Sequence, residues 1–266
     1  MLLCDLPVGA KITDSRRYFP WIVADQSREG YSGTVLISDF LAEAGCYDAP
    51  EPGSRFDEIR QFGWNRYPVS NVHQWLNSDG KTGWFAPMHP LDEAPGQRVI
   101  EPYEQKPGFL FGFSDAFVRA LQTCPVVYAY QDDYYQLRHG TVECRVFLPS
   151  RTELGVEQRT DVQEGRCLQL AECEPIYRSA APTADLVKEH RLCDREFHPS
   201  SSYPYWLRSV DLNCMSAVYF YGMSRAPYFQ ACQGACGIRP MVVMDGQTAL
   251  RGRPDPYGVY ELEGGA

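Results

Sequence analysis

Proline and glycine punctuate this chain so densely that only short elements fit between them. Asp48 to Pro68 and Trp84 to Gly108 are both rich in these residues. Proline fixes φ and lacks an N–H, and glycine carries an entropic cost, so neither sustains a long helix or a central strand. Between the punctuation lie apolar runs of a few residues: Val8–Ile12, Trp21–Ala24, Thr34–Ile37, Val126–Tyr130, Arg145–Leu148, Tyr205–Arg208, Ala217–Phe220 and Met241–Met244. Their length and composition predict short strands. Val126–Tyr130 and Tyr134–Leu137 flank Gln131-Asp132-Asp133 as the arms of a hairpin. Two helices are expected, one capped by Ser70 with Val72, Trp75 and Leu76 on one side, the other capped by Ser114 with Phe117, Val118 and Leu121 inward. Pro149-Ser150 starts a single helical turn holding Thr152 and Leu154. Asp48 to Pro68 reads as an ordered surface loop, and Glu157 to His198 is polar without a pattern. Strands at both ends, two central helices and long ordered loops describe an α+β fold, taken as a single domain over residues 1–266 because no repeat or low-complexity linker interrupts it.

Charge narrows the functional classes. Lys and Arg total 25 against 34 Asp and Glu, a formal net charge of −9. The longest basic run is Arg16-Arg17, so the concentrated cationic face that phosphate backbones require is missing and no nucleic-acid partner is expected. No apolar run approaches the eighteen or so residues needed to span a bilayer, so no membrane insertion is expected. The Met1-Leu2-Leu3-Cys4 start is too brief for a signal peptide, and the basic and apolar segments that precede a lipoprotein cysteine are absent. These features predict a soluble chain.

Ten cysteines are present. Their irregular spacing favours free thiols over a disulfide framework. Cys167, Cys173, His190, Cys193 and His198 fall close together, but neither Cys167/Cys173 nor Cys232/Cys236 has the tight knuckle spacing of structural zinc, and no metal or other cofactor is expected. Asp132-Asp133 are adjacent, which in a strand sends them to opposite faces. His73, His89, His139, His190 and His198 accompany no recognisable nucleophile motif. Nor is there a glycine-rich phosphate loop.

The C-terminal third is written by two rules. Trp206-Leu207-Arg208-Ser209 and Gly237-Ile238-Arg239-Pro240 are regular, whereas Asp211 to Cys236 mixes Tyr, Phe, Cys, Met, Asn, Gln and Arg without period and contains no Lys, Glu or Trp. Aromatic groups interleaved with small polar ones suit a binding surface, because they supply rigid contact area with adaptable hydrogen bonds. An irregular loop packed on its own aromatics is the competing reading. Within the flanks, Trp206 is expected in the core, Arg208 and Arg239 either as buried donors to loop carbonyls or as ordinary surface charges, and Gly237 in a turn conformation that a side chain would obstruct.

Seven blocks carry a resemblance along nearly the whole chain: Leu6-Pro7-Val8-Gly9-Ala10-Lys11; Asn65-Arg66-Tyr67; Ser70-Asn71-Val72 with Gln74-Trp75-Leu76-Asn77-Ser78-Asp79; Pro107-Gly108-Phe109-Leu110; Phe147-Leu148-Pro149-Ser150-Arg151-Thr152-Glu153-Leu154-Gly155; Trp206-Leu207-Arg208-Ser209; and Gly237-Ile238-Arg239-Pro240. In order and spacing they resemble the C-type-lectin-like fold in the version shared with formylglycine-generating enzymes, and within it the variable proteins of diversity-generating retroelements, relatives of the phage major tropism determinant. The resemblance implies a C-type lectin-like fold and a non-enzymatic protein of phage or prophage origin, made in the bacterial cytoplasm and displayed on a virion. It also implies a variable ligand-binding segment at about residues 208–240, rewritten at template adenines. Asn codons altered at adenines never yield Lys, Glu or Trp, which agrees with the composition of that segment. Met215, Met223, Gln230 and Gln233 need other template codons or are fixed.

On this reading the ligand contacts are Asp211, Asn213, Cys214, Ser216, Tyr219, Tyr221, Arg225, Tyr228, Phe229, Cys232 and Gln233. The aromatic members serve as anchors, and Asp211 and Arg225 set polar specificity. Tyr219 and Phe229 are the members most readily read instead as filling space beneath the loop. The partner is a protein or cell-surface ligand, with homo-oligomerisation left open. The alternative is a formylglycine-generating-enzyme-like oxidase using Cys232 and Cys236, which would need an exposed pair with depressed thiol pKa. Calcium-dependent sugar binding is not expected, since Glu51-Pro52-Gly53 is a poor substitute for the triplets such lectins use.

Overall fold

The computed structural model describes residues 1–26, 31–96, 99, 102–156, 163–173, 175–190, 203–211, 214–221, 228–234 and 236–264. Among these, the strands are β1 (Lys11–Thr13), β2 (Trp21–Gln26), β3 (Thr34–Ser38), β4 (Glu43–Ala44), β5 (Cys124–Gln131), β6 (Leu137–Cys144), β7 (Val146–Phe147), β8 (Tyr205–Val210), β9 (Ala217–Tyr221), β10 (Tyr228–Gln230), β11 (Gly237–Ile238), β12 (Met241–Met244) and β13 (Val259–Glu261). The helices are α1 (Asp57–Phe62), α2 (Asn71–Leu76), α3 (Asp115–Ala120), α4 (Gln169–Cys173) and α5 (Ala184–His190). Helices this short are marginal in isolation, so packing rather than propensity holds them.

One sheet runs in the order β13-β1-β2-β3-β12-β7, a second in the order β10-β9-β8-β11-β4, and β5 and β6 form a separate hairpin. The architecture is mixed, with sheets built from distant parts of the chain and helices between them. Strands β2, β3 and β12 are buried on both faces apart from Gln26, which is why they read as continuous apolar runs. Over the first sheet lies an aromatic cluster: Phe113 and Phe117 stack with centroids 4.3 Å apart, Trp21 stacks on Phe117 at 5.8 Å, and Phe109 meets Phe113 edge-on at 5.5 Å.

The two expected caps are present. Ser70 Oγ accepts from His73 N at 3.4 Å, and Ser114 Oγ accepts from Phe117 N at 3.1 Å. Asp14 ties the second cap to the sheet, its carboxylate accepting from Ser114 N at 3.0 Å. Phe117 is fully buried, while Val118 is only partly so and Leu121 lies just beyond α3 in extended conformation. The turn after Pro149 also forms, with Leu154 N donating to Ser150 O at 3.2 Å.

Among the described residues five α-helices stand where two were expected. Asp48 to Pro68 is not a surface loop: it contains α1, and Asp48, Ala49, Glu51, Asn65 and Tyr67 are buried. The fully buried carboxylate of Asp48 gathers the segment, accepting from Trp64 N at 2.8 Å and Asn71 N at 3.1 Å. Helix α1 buries only Ile59, so no apolar stripe marks it in sequence. The second hairpin arm is β6 rather than Tyr134–Leu137, because Asp132 closes a wider tip by accepting from Tyr134 N and Gln136 N at 2.9 and 3.0 Å. Within the polar segment beginning at Glu157, α4 and α5 form. Residues 157–162, 174 and 191–198 lie outside the described residues.

Candidate ligand-binding site

Strand β8 carries the regular flank of the C-terminal region, and all six of its residues are buried. Trp206 is fully buried, donates from Nε1 to Gly45 O at 2.8 Å and meets Tyr47 edge-on at 5.9 Å. Arg208 is also fully buried. Its Nε donates to Val127 O at 2.9 Å, Nη1 to Leu148 O at 2.6 Å and Nη2 to Glu164 O at 3.1 Å, tying loop carbonyls to the body. Sequence reading missed its ion partner. Glu153 accepts from Nη1 and Nη2 at 2.6 and 2.8 Å, and also from Tyr31 Oη at 2.7 Å and Ser150 N at 2.9 Å. Burial by itself pulls the Arg208 pKa down, but Glu153, Tyr31 and Glu164 outweigh it and leave the guanidinium more basic than usual. Burial pushes the neighbouring Glu164 carboxyl up, opposed by Arg208 and by hydrogen bonds from Ser209 and Ala129 N.

Arg239, the second flank's cation, is buried too and donates to Ser38 O at 3.0 Å, Tyr177 O at 2.8 Å and Arg178 O at 3.2 Å. Gly237 corrects an expectation. It lies in β11 rather than a turn, and what a side chain would meet there is crowding: a Cβ would sit 2.4 Å from Leu41 Cδ1.

Between these flanks the sheet turns outward. β9 pairs with β8 on one side and with β10 on the other, placing Tyr228 opposite Tyr219 and Phe229 opposite Val218. All three β10 residues are exposed, Tyr228 to 55% and Phe229 to 39%. Successive strand residues point to opposite faces, so a strand exposed at every position presents part of both faces. β10 is also the edge of its sheet.

The expected contact residues divide sharply. Tyr228 and Phe229 lie on the surface, and Cys214, Cys232 and Gln233 are half-buried beside it. Asp211, Ser216 and Tyr219 are interior, which corrects their placement as ligand contacts. The reason is local bonding: Tyr219 Oη donates to Asp211 Oδ2 at 2.9 Å, and its ring receives the Arg151 guanidinium 4.3 Å from the centroid. Tyr219 fills space beneath Tyr228, whose ring meets it edge-on at 6.4 Å. Asn213 and Arg225 lie outside the described residues, as does the side chain of Tyr221.

Helix α1 and the loop after it hold the surface from below, a role sequence reading missed. Glu58 accepts from Met215 N at 2.8 Å, Phe62 O accepts from Cys232 N at 2.8 Å, and Asn65 donates from Nδ2 to Cys214 O at 2.9 Å. The one available signal was Asn65, a residue of the recurring blocks that proves fully buried.

Cys232 and Cys236 are poorly placed for thiol chemistry. Among the described residues Cys4, Cys46, Cys124, Cys144, Cys173, Cys214, Cys232 and Cys236 form no disulfide. Burial pushes the Cys236 thiol well above its usual range and raises that of half-buried Cys232, the opposite of what a reactive pair needs. Among the described residues no group of three or more His, Cys, Asp and Glu side chains is arranged to hold a metal. Asp132 and Asp133 do not act together: Asp132 binds Arg138 at 2.8 Å, while Asp133 pairs with Arg55. Among the described residues no helix is long and apolar enough to cross a membrane.

Residues 32–246 match a domain family described as a domain of unknown function, DUF6273. The chain belongs to the DUF6273 family. The matched DUF6273 region takes in the whole five-stranded sheet and the aromatic cluster's α3, and leaves β1, β2 and β13 to complete one edge of the other sheet. No curated protein and no solved structure matches the chain.

Proposed function

We propose that this chain is a non-enzymatic ligand-binding protein with a C-type-lectin-like fold, whose segment at about residues 208–240 is diversified by a retroelement and presented to a protein or cell-surface ligand. One observation carries the reading: β10 is exposed at every position, whereas Trp206–Ser209 and Gly237–Pro240 on either side are buried throughout. A rigid frame around an exposed aromatic strand tolerates change in the strand without loss of the fold. Tyr228 and Phe229 supply the large flat side chains that bind with little loss of rotamer entropy. The phage or prophage origin and display on a virion rest on the resemblance of the seven blocks.

The neighbouring DNA tests this reading. A reverse-transcriptase gene beside a near-copy of the codons for residues 208–240, differing only at adenines, is the expected finding. Absence of both from the flanking sequence would overturn the diversification.

A further inference from the structure

Glu51, Trp64 and His89 line one cavity of about 330 Å³, and each brings a buried polar atom that has no hydrogen-bond partner: Glu51 Oε1, Trp64 Nε1 and His89 Nε2. Glu51 is only 3% exposed. Its Oε1 lies 3.2 Å from His89 Nε2, within ion-pair range, yet the two atoms are not aligned for a hydrogen bond, so the contact does not satisfy either. Leaving such groups unpaired in a low-dielectric site is costly, and three of them on residues that line one cavity favour a polar occupant.

The charges say what. Asp92 and Glu93 add negative field around Glu51, and Asp48 lies in the same acidic neighbourhood. At the mouth, Asp133 pairs with Arg55, both exposed, a contact weak enough to be exchanged. Phe56 and Ile59 give the walls apolar and aromatic surface. Aromatic walls with buried carboxylate favour an organic cation and disfavour a phosphate or carboxylate.

We propose that this cavity is a binding site for a small organic cation, an ammonium or guanidinium group on a short apolar stem, with Glu51 as its counter-ion and Asp133 at the rim. The site is separate from the β10 surface and does not depend on the function proposed above. It carries its own pH signature. Burial, with Asp92 and Glu93, raises the Glu51 pKa to about 8, so the carboxyl holds its proton at neutral pH. An arriving cation favours the ionised form and expels that proton, so binding strengthens as pH rises through about 8. The other groups around Glu51 are His89, Asp92, Glu93 and Asp48, with Arg55 and Asp133 at the mouth.

Calorimetric titration of the full chain with n-butylammonium chloride and with agmatine, against n-butanol as the neutral control, tests the site. Saturable one-to-one binding of the amines with proton release near pH 7.5, and no binding of the alcohol, is the expected result. Glu51→Gln should weaken amine binding by about tenfold or more, the effect of losing one buried charge partner. Asp133→Asn, an exposed change that leaves the fold intact, should weaken it by about threefold. Equal binding of n-butanol, unchanged affinity in both variants, or a cavity that takes up only water at millimolar amine would each overturn the proposal.

Discussion

Arg208 and Glu153 meet side by side in the interior, both side chains fully buried, with Nη1 to Oε2 at 2.6 Å and Nη2 to Oε1 at 2.8 Å. The pair links β8, which frames the candidate surface, to the turn after Pro149. Removing one partner strands the other charge without water. Glu153→Gln should therefore lower stability by about 3–5 kcal/mol, and Arg208→Lys, which keeps the charge, should lower it by less, because lysine cannot reproduce the planar bidentate contact. Urea unfolding followed by circular dichroism measures this, and a loss below 1 kcal/mol would show that the pair does not hold the frame.

His73 should make stability sensitive to acid. Burial lowers its pKa from 6.5 to about 4, so the unfolded chain takes up a proton between those values while the folded chain does not. Stability from this group is present above pH 6.5 and is lost as pH falls toward 4, by about 3 kcal/mol in full. Asp48, Glu51 and Glu164 titrate in the other direction, since raised carboxyl pKa values favour folding as pH falls. The comparison of wild type with His73→Gln isolates the histidine: the stability difference should shrink by that amount between pH 7 and pH 4.

Gly237→Ala should destabilise by about 1–3 kcal/mol, the usual cost of overpacking. The new Cβ would meet three atoms of the Leu41 side chain, the nearest at 2.4 Å. Leu41→Ala in the same chain should recover part of the loss specific to glycine, measured as a non-additive double-mutant cycle in thermal melts.

Tyr228→Ala and Phe229→Ala should leave stability within about 0.5 kcal/mol, as for other exposed positions. Tyr219→Phe, one strand inward, removes the hydrogen bond to Asp211 and should cost about 1 kcal/mol. Melting temperatures of the three variants, set side by side, decide whether the division between surface and support runs between β9 and β10.

Thiol labelling should follow burial. Cys4 and Cys173 are exposed and should react with a disulfide reagent in the folded chain, whereas Cys46 and Cys236 should label only after unfolding. Both buried thiols are held above their usual pKa by desolvation. Rapid labelling of Cys236 in the folded state would count against this structure of the C-terminal frame.

Several parts of the molecule were legible in the amino-acid sequence. Met241–Met244 was read with the bounds β12 takes, because a central strand buried on both faces must be apolar throughout. Ser70 and Ser114 announced their helices by capping chemistry that is local to three or four residues. The placement of Trp206 in the interior followed from its apolar strand context, whereas the burial of Arg208 and Arg239 was open in the sequence and is decided by their partners across the fold. Within the candidate surface, residue type alone did not separate Tyr219 from Tyr228: both are tyrosines in the same mixed segment, one 3% and the other 55% exposed.

What the sequence determined by itself is what depends on neighbours along the chain: short apolar strands, capped helical turns, an acidic surface without a basic face, and a C-terminal segment unlike its flanks. Tertiary structure alone decided the rest. Glu153 found Arg208, Asp48 gathered Trp64 and Asn71, and Glu51, Trp64 and His89 came to share a cavity, each by contacts between residues far apart in sequence. No period or motif encodes those meetings, because burial and pairing across the fold depend on how the sheets pack and not on the order of residues within any one strand.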